Sequence, residues 1–380
     1  MTFVLDIHAL HTLPPSNINR DDTGAPKSAV FGGVPRHRVS SQSWKRAIRN
    51  DFETSLGREH VGYRTKRVAD LVADRIVALT GETWDRERAD AAAESIFTAA
   101  GIKVTKPTPP KTEDQDEKAR GAETGYLLFL SPRQLENAAR LLVEKDGQKL
   151  TKKEAKEVLD DSHSVDIAMF GRMVADASDF NVDASVQVAH AIGIHESEPE
   201  FDYYTAVDDI VEDNEETGAG MIGTTQMISS TLYRFATIDL ESLTENLGDA
   251  AVAQDAAAAF VSSFISSLPT GKQNSFAHNT LPELVYVTLR DTRSISLVNA
   301  FENPVRAQDG ESRREKGAQA LAEEAATLQK EYGFEPLESF VLGLGDMTSA
   351  FEGLAARVTL PELGDKLREA LAAHSGKPSA

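Results

Sequence analysis

The chain has 380 residues, 41% of them apolar, enough to bury one large core or two moderate ones without a disulfide or metal staple. It contains no cysteine, which excludes a disulfide framework and a thiolate-held zinc; a polar opening segment and the lack of any long apolar run complete the expectation of a cytoplasmic protein. The formal net charge is −20 and the pI about 4.9, so the average surface repels polyanions.

Phe3, Leu5 and Ile7 alternate with Val4, Asp6 and His8, the period of a strand with one face in a core. Residues 14–33, with Pro14, Pro15, Pro26 and the Gly32-Gly33 pair, read as an ordered surface loop. Arg36, Arg38 and Ser40 then share one side of a short extended piece, because residues two apart share a face. Ser40 or Ser41 can cap the helix that follows. In that helix Trp44, Ala47, Ile48 and Phe52 form an apolar stripe, while Gln42, Lys45, Arg46 and Arg49 gather on the other side as one outward cationic unit.

From about 58 to 100 the apolar residues Val68, Leu71, Val72, Ile76 and Leu79 recur at helical spacing with Gly81 as a stop, which predicts an inserted helical subdomain. The Pro-rich, charged segment 103–120 has no apolar face and reads as a mobile loop. Shorter helices are predicted near 132–144 and 151–160, and 165–174 is apolar enough to be buried. Residues 195–230 carry few hydrophobics, several glycines and the acidic run EDNEE, the pattern of an exposed excursion. A strand returns at 229–240, a long helix at 250–268 aligns Phe260, Phe264 and Leu268, strands are predicted at 285–289 and 296–301, and 363–373 closes as a helix. Strands and helices interleave without regular β-α-β spacing, so an α+β fold with large insertions is expected.

Active-site machinery is sparse. His8 and His11, three apart in an extended stretch, point to opposite faces instead of a shared metal. His195-Glu196 lacks the second histidine of a zinc-protease motif, and Thr270-Gly271-Lys272 lacks the upstream glycine of a phosphate loop. Asp208-Asp209 reads as a solvated pair. No Ser, His and Asp constellation supports a hydrolase, and no catalytic residue, metal or cofactor is expected. One anomaly stands out: residues 23 to 50 carry six cations (Lys27, Arg36, Arg38, Lys45, Arg46, Arg49) and no acid. A local cationic strip on an acidic molecule is what a polyanion site needs, the bland alternative being a solvated helix face with surface ion pairs.

The stretch SNINRDDTGAPKSAVFGGVPRHRVSSQSWKRAIR, which carries that strip, resembles the backbone subunit of the type I-E CRISPR Cascade complex, the CasC family of the repeat-associated mysterious protein (RAMP) superfamily. Further stretches of the resemblance follow in order: DIAMFGRM at 166–173, AHAIGIH at 189–195, FDYYTAVDD at 201–209, STLYRFATIDLESLTENLG at 230–248 and SLVNAFENPV at 296–305. The resemblance implies a hand-like fold. Residues 1–57, 189–195 and 231–380 would form a palm with a modified RNA-recognition-motif (ferredoxin-like) sheet, 58–188 a helical fingers insertion, and 196–230 a β-hairpin thumb. It also implies head-to-tail stacking of copies along a CRISPR RNA, with other Cascade subunits and the target DNA strand as partners and no membrane.

By position, the resemblance implies that Arg20, Lys27, Ser40, Gln42, Lys45, Arg46 and Arg49 hold the RNA backbone, that Met173 wedges against bases, and that Tyr204, followed by Thr205, stands beside a displaced nucleotide. Core packing is the alternative for Met173 and Tyr204. Lys149, Lys152, Lys153 and Lys156 are substitutes for lysines expected on the fingers, and the acidic Pro-rich loop near 107–117 has no counterpart. The function implied is a non-catalytic guide-RNA-binding subunit of an antiviral complex. Competing readings are a guide-bound endoribonuclease of the type III backbone kind, using Asp21 or Asp22, and a plain acidic scaffold.

Overall fold

The computed structural model of the protein describes residues 3–105, 122–174, 176–206 and 221–374. Along the chain the strands are β1 (Val4–Ser16), β2 (Ser28–Phe31), β3 (Val34–Val39), β4 (Tyr63–Thr65), β5 (Val104–Thr105), β6 (Glu123–Thr124), β7 (Leu128–Leu130), β8 (Val186–Val188), β9 (Ala191–Gly193), β10 (Glu200–Ala206), β11 (Met221–Asp239), β12 (Leu284–Arg290), β13 (Glu338–Gly343) and β14 (Ala356–Arg357). The helices are α1 (Ser41–Ser55), α2 (Val68–Thr80), α3 (Arg86–Ala99), α4 (Pro132–Glu144), α5 (Lys152–Leu159), α6 (Val165–Phe170), α7 (Leu240–Leu247), α8 (Ala250–Ser266), α9 (Gln273–Phe276), α10 (Arg313–Tyr332) and α11 (Leu360–His374). Two compact units result, one from Met1–Ile48, Gln187–Asp239 and Ala257–Ala380, the other from Arg49–Val186 and Leu240–Ala256. Residues 240–256, kept with the sheet in the sequence reading, thus group with the helical unit.

The α+β expectation takes the form of a ten-stranded mixed sheet in the order β14-β13-β12-β1-β11-β9-β3-β2, with β8 and β10 also paired to β11. β1 lies between β11 and β12, antiparallel to both, and is buried on both faces where the alternation predicts one. Its polar residues are therefore partnered inside: Asp6 lies 3.4 Å from Arg290, and His8 shares a hydrogen bond of 2.9 Å with the Tyr233 hydroxyl. Burial pushes the Asp6 carboxyl up and takes His8 and His11 down to about 3. The two histidines do not meet, since His11 bonds Thr280 and Arg234 instead.

Leu10, Tyr233, Leu284 and Phe301 form a core under α10 on one face of the sheet; Leu13, Ile18, Val39, Trp44 and Leu232 form the core of the other face. There Arg234 is sandwiched between the rings of Trp44 (3.7 Å) and Phe264 (4.3 Å), and its burial lowers the guanidinium to about 9.

Several local readings change. Residues 14–33 are more structured than a surface loop: β1 runs to Ser16, with a register shift at Pro14 and Pro15, which donate no N–H to the ladder. Residues 28–31 form an edge strand hairpinned onto β3 around Gly32 and Gly33 (φ 58° and 81°). A Cβ on Gly32 would meet the Glu302 carbonyl oxygen at 1.7 Å, so glycine alone fits that turn. Residues 296–301 are not a strand: the Leu297 N–H donates to the Tyr233 hydroxyl (3.0 Å), and Val298–Phe301 coil into a 3₁₀ turn that sets Phe301 on the Tyr233 ring. The segment 165–174 is buried along α6 from Val165 to Met169 and again at Arg172 and Val174, with Met173 exposed between them. Helix α10 passes unmarked in the sequence reading; it approaches the sheet at Gly317, where a Cβ would stand 2.8 Å from Ile194.

In the second unit α2, α3, α4 and α5 close around Val72, Ile76, Phe97, Leu135 and Leu142. Asp85 caps α3, and Ser131 and Thr151 form capping boxes at α4 and α5. The stretch 107–117, Asp208-Asp209 and the EDNEE run lie outside the described residues. Among the described residues no group of three or more His, Cys, Asp or Glu side chains could hold a metal ion, and no helix is long and apolar enough to cross a membrane.

Candidate nucleic-acid interface

The cationic strip separates into buried and surface members. Arg36, expected on an outward face, is fully buried. Its Nε donates to the Phe31 carbonyl (3.1 Å), Nη1 to Gly193 (3.0 Å), and Nη2 to Phe301 and Glu302 (3.1 Å each). Four of the five guanidinium donors are taken by carbonyls and the side chain is shut off from solvent, so Arg36 is a structural clasp and leaves the candidate set.

Arg38, two residues on in β3, behaves differently. It is only half-buried, and its guanidinium reaches the exposed His190 ring, Nη1 donating to Nδ1 at 3.1 Å. The Ser41 N–H in the first turn of α1 donates to the same nitrogen at 3.3 Å. With Nδ1 accepting twice, the ring proton of neutral His190 sits on Nε2. Burial, then the charges of Arg38 and Lys27, lower the His190 pKa, so the local potential is positive despite the global charge. The sequence reading passed over His190, although AHAIGIH was among its matching stretches.

The loop before β2 completes this surface. Asn17 Nδ2 donates to the Gly24 and Gln226 carbonyls (3.0 Å each), the Lys27 N–H donates to Asn19, and the Arg38 N–H to Lys27. Asp21 holds the turn, one carboxylate oxygen accepting from the Thr23 hydroxyl (2.7 Å) and the Thr23 and Ala25 N–H groups, and these bonds keep its carboxyl below the usual range. Arg20 is exposed and Lys27 half-buried on this frame. Ser40 is buried: its N–H donates to Asn19 Oδ1 (2.8 Å) and its hydroxyl accepts weakly from the Ser43 N–H (3.4 Å), which makes it the cap of α1. Trp44 and Ile48 anchor the helix, leaving Gln42 and Arg46 exposed and Lys45 half-buried, where desolvation lowers its pKa. Arg20, Lys27, Arg38, Gln42, Lys45 and Arg46 are thus all brought to the sheet unit.

Arg49 begins the second unit and is turned inward. Its Nε donates to Asp166 at 2.7 Å, its Nη2 to the Gly62 carbonyl at 2.7 Å, and the guanidinium lies 4.7 Å from the Phe129 ring centre. The expected outward cation is largely neutralised by a carboxylate that is fully buried. Met173 stands at the opposite extreme, 82% exposed. Gly171 turns the chain after α6, and buried Arg172 pins the segment through Asp160 (2.9 Å) and the Phe180 carbonyl (2.8 Å), so the next side chain is held out to solvent. Of the lysines proposed for the fingers, Lys152 and Lys153 are engaged with Asp179 (3.5 Å) and Glu157 (3.7 Å). A cleft in this unit is lined by Glu59, Asp160, Asp161, Glu245 and Asp249, a sign of charge unsuited to a polyanion.

β10 and β11 form a hairpin in which Tyr204 lies opposite Gly223 and Thr205 opposite Ile222. A Cβ on Gly223 would come within 2.4 Å of the Tyr204 ring. The phenol therefore lies across the glycine with one face covered by backbone and is 43% exposed; Thr205 is exposed too. Neither Met173 nor Tyr204 is a core residue.

Comparison with known proteins places this geometry. A family model described as CT1975-like protein matches residues 5–366. A chain of a solved assembly described as "CRISPR RNA-guided surveillance complex, pre-nicking" superposes with a TM-score of 0.79 at 35% identity, covering 97% of this chain and 100% of that one. Another, from a "CRISPR RNA-guided surveillance complex", gives 0.72 at 32% identity, covering 97% and 99%. No curated protein matches.

Proposed function

The chain belongs to the CT1975-like protein family, and from that premise we propose that it is a non-catalytic backbone subunit of a Cascade surveillance complex, coating a CRISPR guide RNA and pre-ordering it for pairing with target DNA. The sheet unit serves as the palm, on a modified RNA-recognition-motif sheet, the helical unit as the fingers and the β10–β11 hairpin as the thumb. Copies stack head to tail, a heterologous contact that yields an open filament along the guide.

One observation carries this reading: on a chain of net charge −20, Arg38 and Lys27 act together on His190 beside the first turn of α1, where the helix dipole adds positive potential, and Arg20 and Arg46 are exposed on the same unit. These groups hold phosphates. Met173 and Tyr204, solvent-facing on firmly pinned segments, meet bases. Sequence is then read by base pairing, and a guide ordered in advance spares part of the entropic cost of pairing. Asp21, committed to its turn, is poorly free for the alternative nuclease role, which leaves Asp22.

The test is the purified, RNA-loaded assembly. Arg38→Glu with Arg46→Glu should strip the guide while the chain stays folded and soluble; full retention of RNA would refute the site. Matched RNA incubated with Mg²⁺ should remain intact, and regularly spaced cuts abolished by Asp22→Ala would overturn the non-catalytic assignment.

A further inference from the structure

Lys272 belongs to the Thr270-Gly271-Lys272 stretch that matches no phosphate-loop motif, yet the fold brings it to the face of the hairpin that carries Tyr204. The loop is pressed against the N-terminal segment: a Cβ on Gly271 would meet the Ile18 carbonyl oxygen at 2.1 Å. Lys272 itself adopts a left-handed backbone (φ 48°, ψ 30°), a conformation that costs a side-chain-bearing residue energy and turns the chain sharply. Its ammonium donates to the Thr225 hydroxyl at 3.3 Å and forms no ion pair among the described residues. Asp202, the cross-strand partner of Thr225, does not pair with it.

Side chains two apart on a strand share a face, so Thr225 and Gly223 lie on one side of β11, about 7 Å apart along it. Directly opposite residues also share that side, which places Tyr204 there as well, with Asp202 opposite Thr225 as an acid that the pairing puts on this same face. Phe201, Tyr203 and Ile222 lie on the other side. One face of the hairpin therefore offers an aromatic ring with an open side and, one pleat away, a cation satisfied only by a neutral hydroxyl. Aromatic platform beside cation is the pairing that single-stranded nucleic acid engages, base to ring and phosphate to ammonium.

We propose that Tyr204 and Lys272 form a two-part nucleotide clamp on this face, the ring receiving a displaced guide base and the ammonium the adjoining phosphate, with Gly223 as the residue that positions the ring. The assignment rests on the guide-binding reading and extends it to a residue outside the basic strip. Thr225 holds the ammonium until RNA arrives, and the strained backbone at Lys272 keeps its stem from wandering.

The experiment measures binding of single-stranded RNA oligonucleotides to the full chain across a salt series, and chemical probing of guide bases in the assembled complex. Lys272→Ala should flatten the slope of log K against log salt by about 0.7, the share of one phosphate. Lys272→Arg should restore it, and Lys272→Gly, which suits the left-handed backbone, should repeat the loss without strain. In the complex, Lys272→Ala and Tyr204→Ala should alter reactivity at the same periodically spaced bases. A wild-type slope and an unchanged footprint for Lys272→Ala and Lys272→Gly, in a chain whose RNA binding still requires Arg38 and Arg46, would overturn the clamp alone. RNA binding indifferent to Arg38 and Arg46 would instead overturn the guide-binding reading beneath it.

Discussion

Arg36 and Arg38 stand two residues apart in β3 and should fail in opposite ways. Replacing Arg36 by Ala deprives the carbonyls of Phe31, Gly193, Phe301 and Glu302 of one shared charged donor. Hydrogen bonds to a charged group contribute about 1.5–3 kcal/mol each, and a buried acceptor left alone costs about 1–3 kcal/mol. Because each carbonyl keeps a second lone pair, the loss is about 4–6 kcal/mol, at the severe end of single substitutions. For a domain of about 150–250 residues, each kcal/mol moves the midpoint by about 2–4 °C, so melting should fall by roughly 8–24 °C. Arg36→Lys recovers little, since one ammonium cannot reach four acceptors spread over three segments. Arg38→Ala should leave melting within about 0.5 kcal/mol of the parent, yet flatten the salt slope of RNA binding by about 0.7. Calorimetry of RNA-free protein and fluorescence anisotropy with labelled oligonucleotides measure the two effects. If Arg36→Ala melts like the parent, or flattens the slope as Arg38→Ala does, the division of the strip into clasp and contact is wrong.

Acid should destabilise the fold through its buried histidines. Burial lowers His8, His11 and His37 to about 3, and His163 and His195 to about 4, while the unfolded rings titrate near about 6.5. The unfolded chain thus binds more protons, so stability is complete above pH ~6.5 and falls toward pH ~4 by up to ~1.4 kcal/mol per pH unit per ring; a flat melting midpoint between pH 6.5 and 5 would contradict this. Arg49→Ala leaves the buried Asp166 carboxylate without its cation and should cost about 3–5 kcal/mol in denaturant unfolding, with Asp166→Asn in the same chain recovering part of it. Gly223→Ala should displace the Tyr204 ring and reproduce the base-reactivity pattern of Tyr204→Ala, the double variant adding nothing further.

The sequence makes α1 legible because its stripe of Trp44, Ile48 and Phe52 is local, and the same holds for the capped helices α4 and α5. Alternation could not separate Arg36 from Arg38, which share a parity; what buries Arg36 is the Phe301–Glu302 segment, brought over it from 265 residues away. Arg49 was misread for a related reason, since Asp166 lies 117 residues on. Helix α10 escaped notice because its buried side is mostly alanine and a glycine, a weak signal against its charged remainder. Lys272 offers no motif at all, and only the pairing register of the hairpin shows which side of it the ammonium meets.

β11 is 19 residues long and belongs to two ladders in succession, pairing with β10 over Met221–Met227 and with β1 over Ile228–Asp239. The perch of Tyr204 is thereby keyed to the innermost strand of the molecule with no hinge between them. Inserting or deleting a single residue along this rod would rotate everything beyond it by half a turn and aim the phenol the opposite way. The one extra residue that this ladder does absorb lies in β1, between Leu13 and Ser16, so β11 itself runs on unbroken and its residue count sets the side on which the phenol stands.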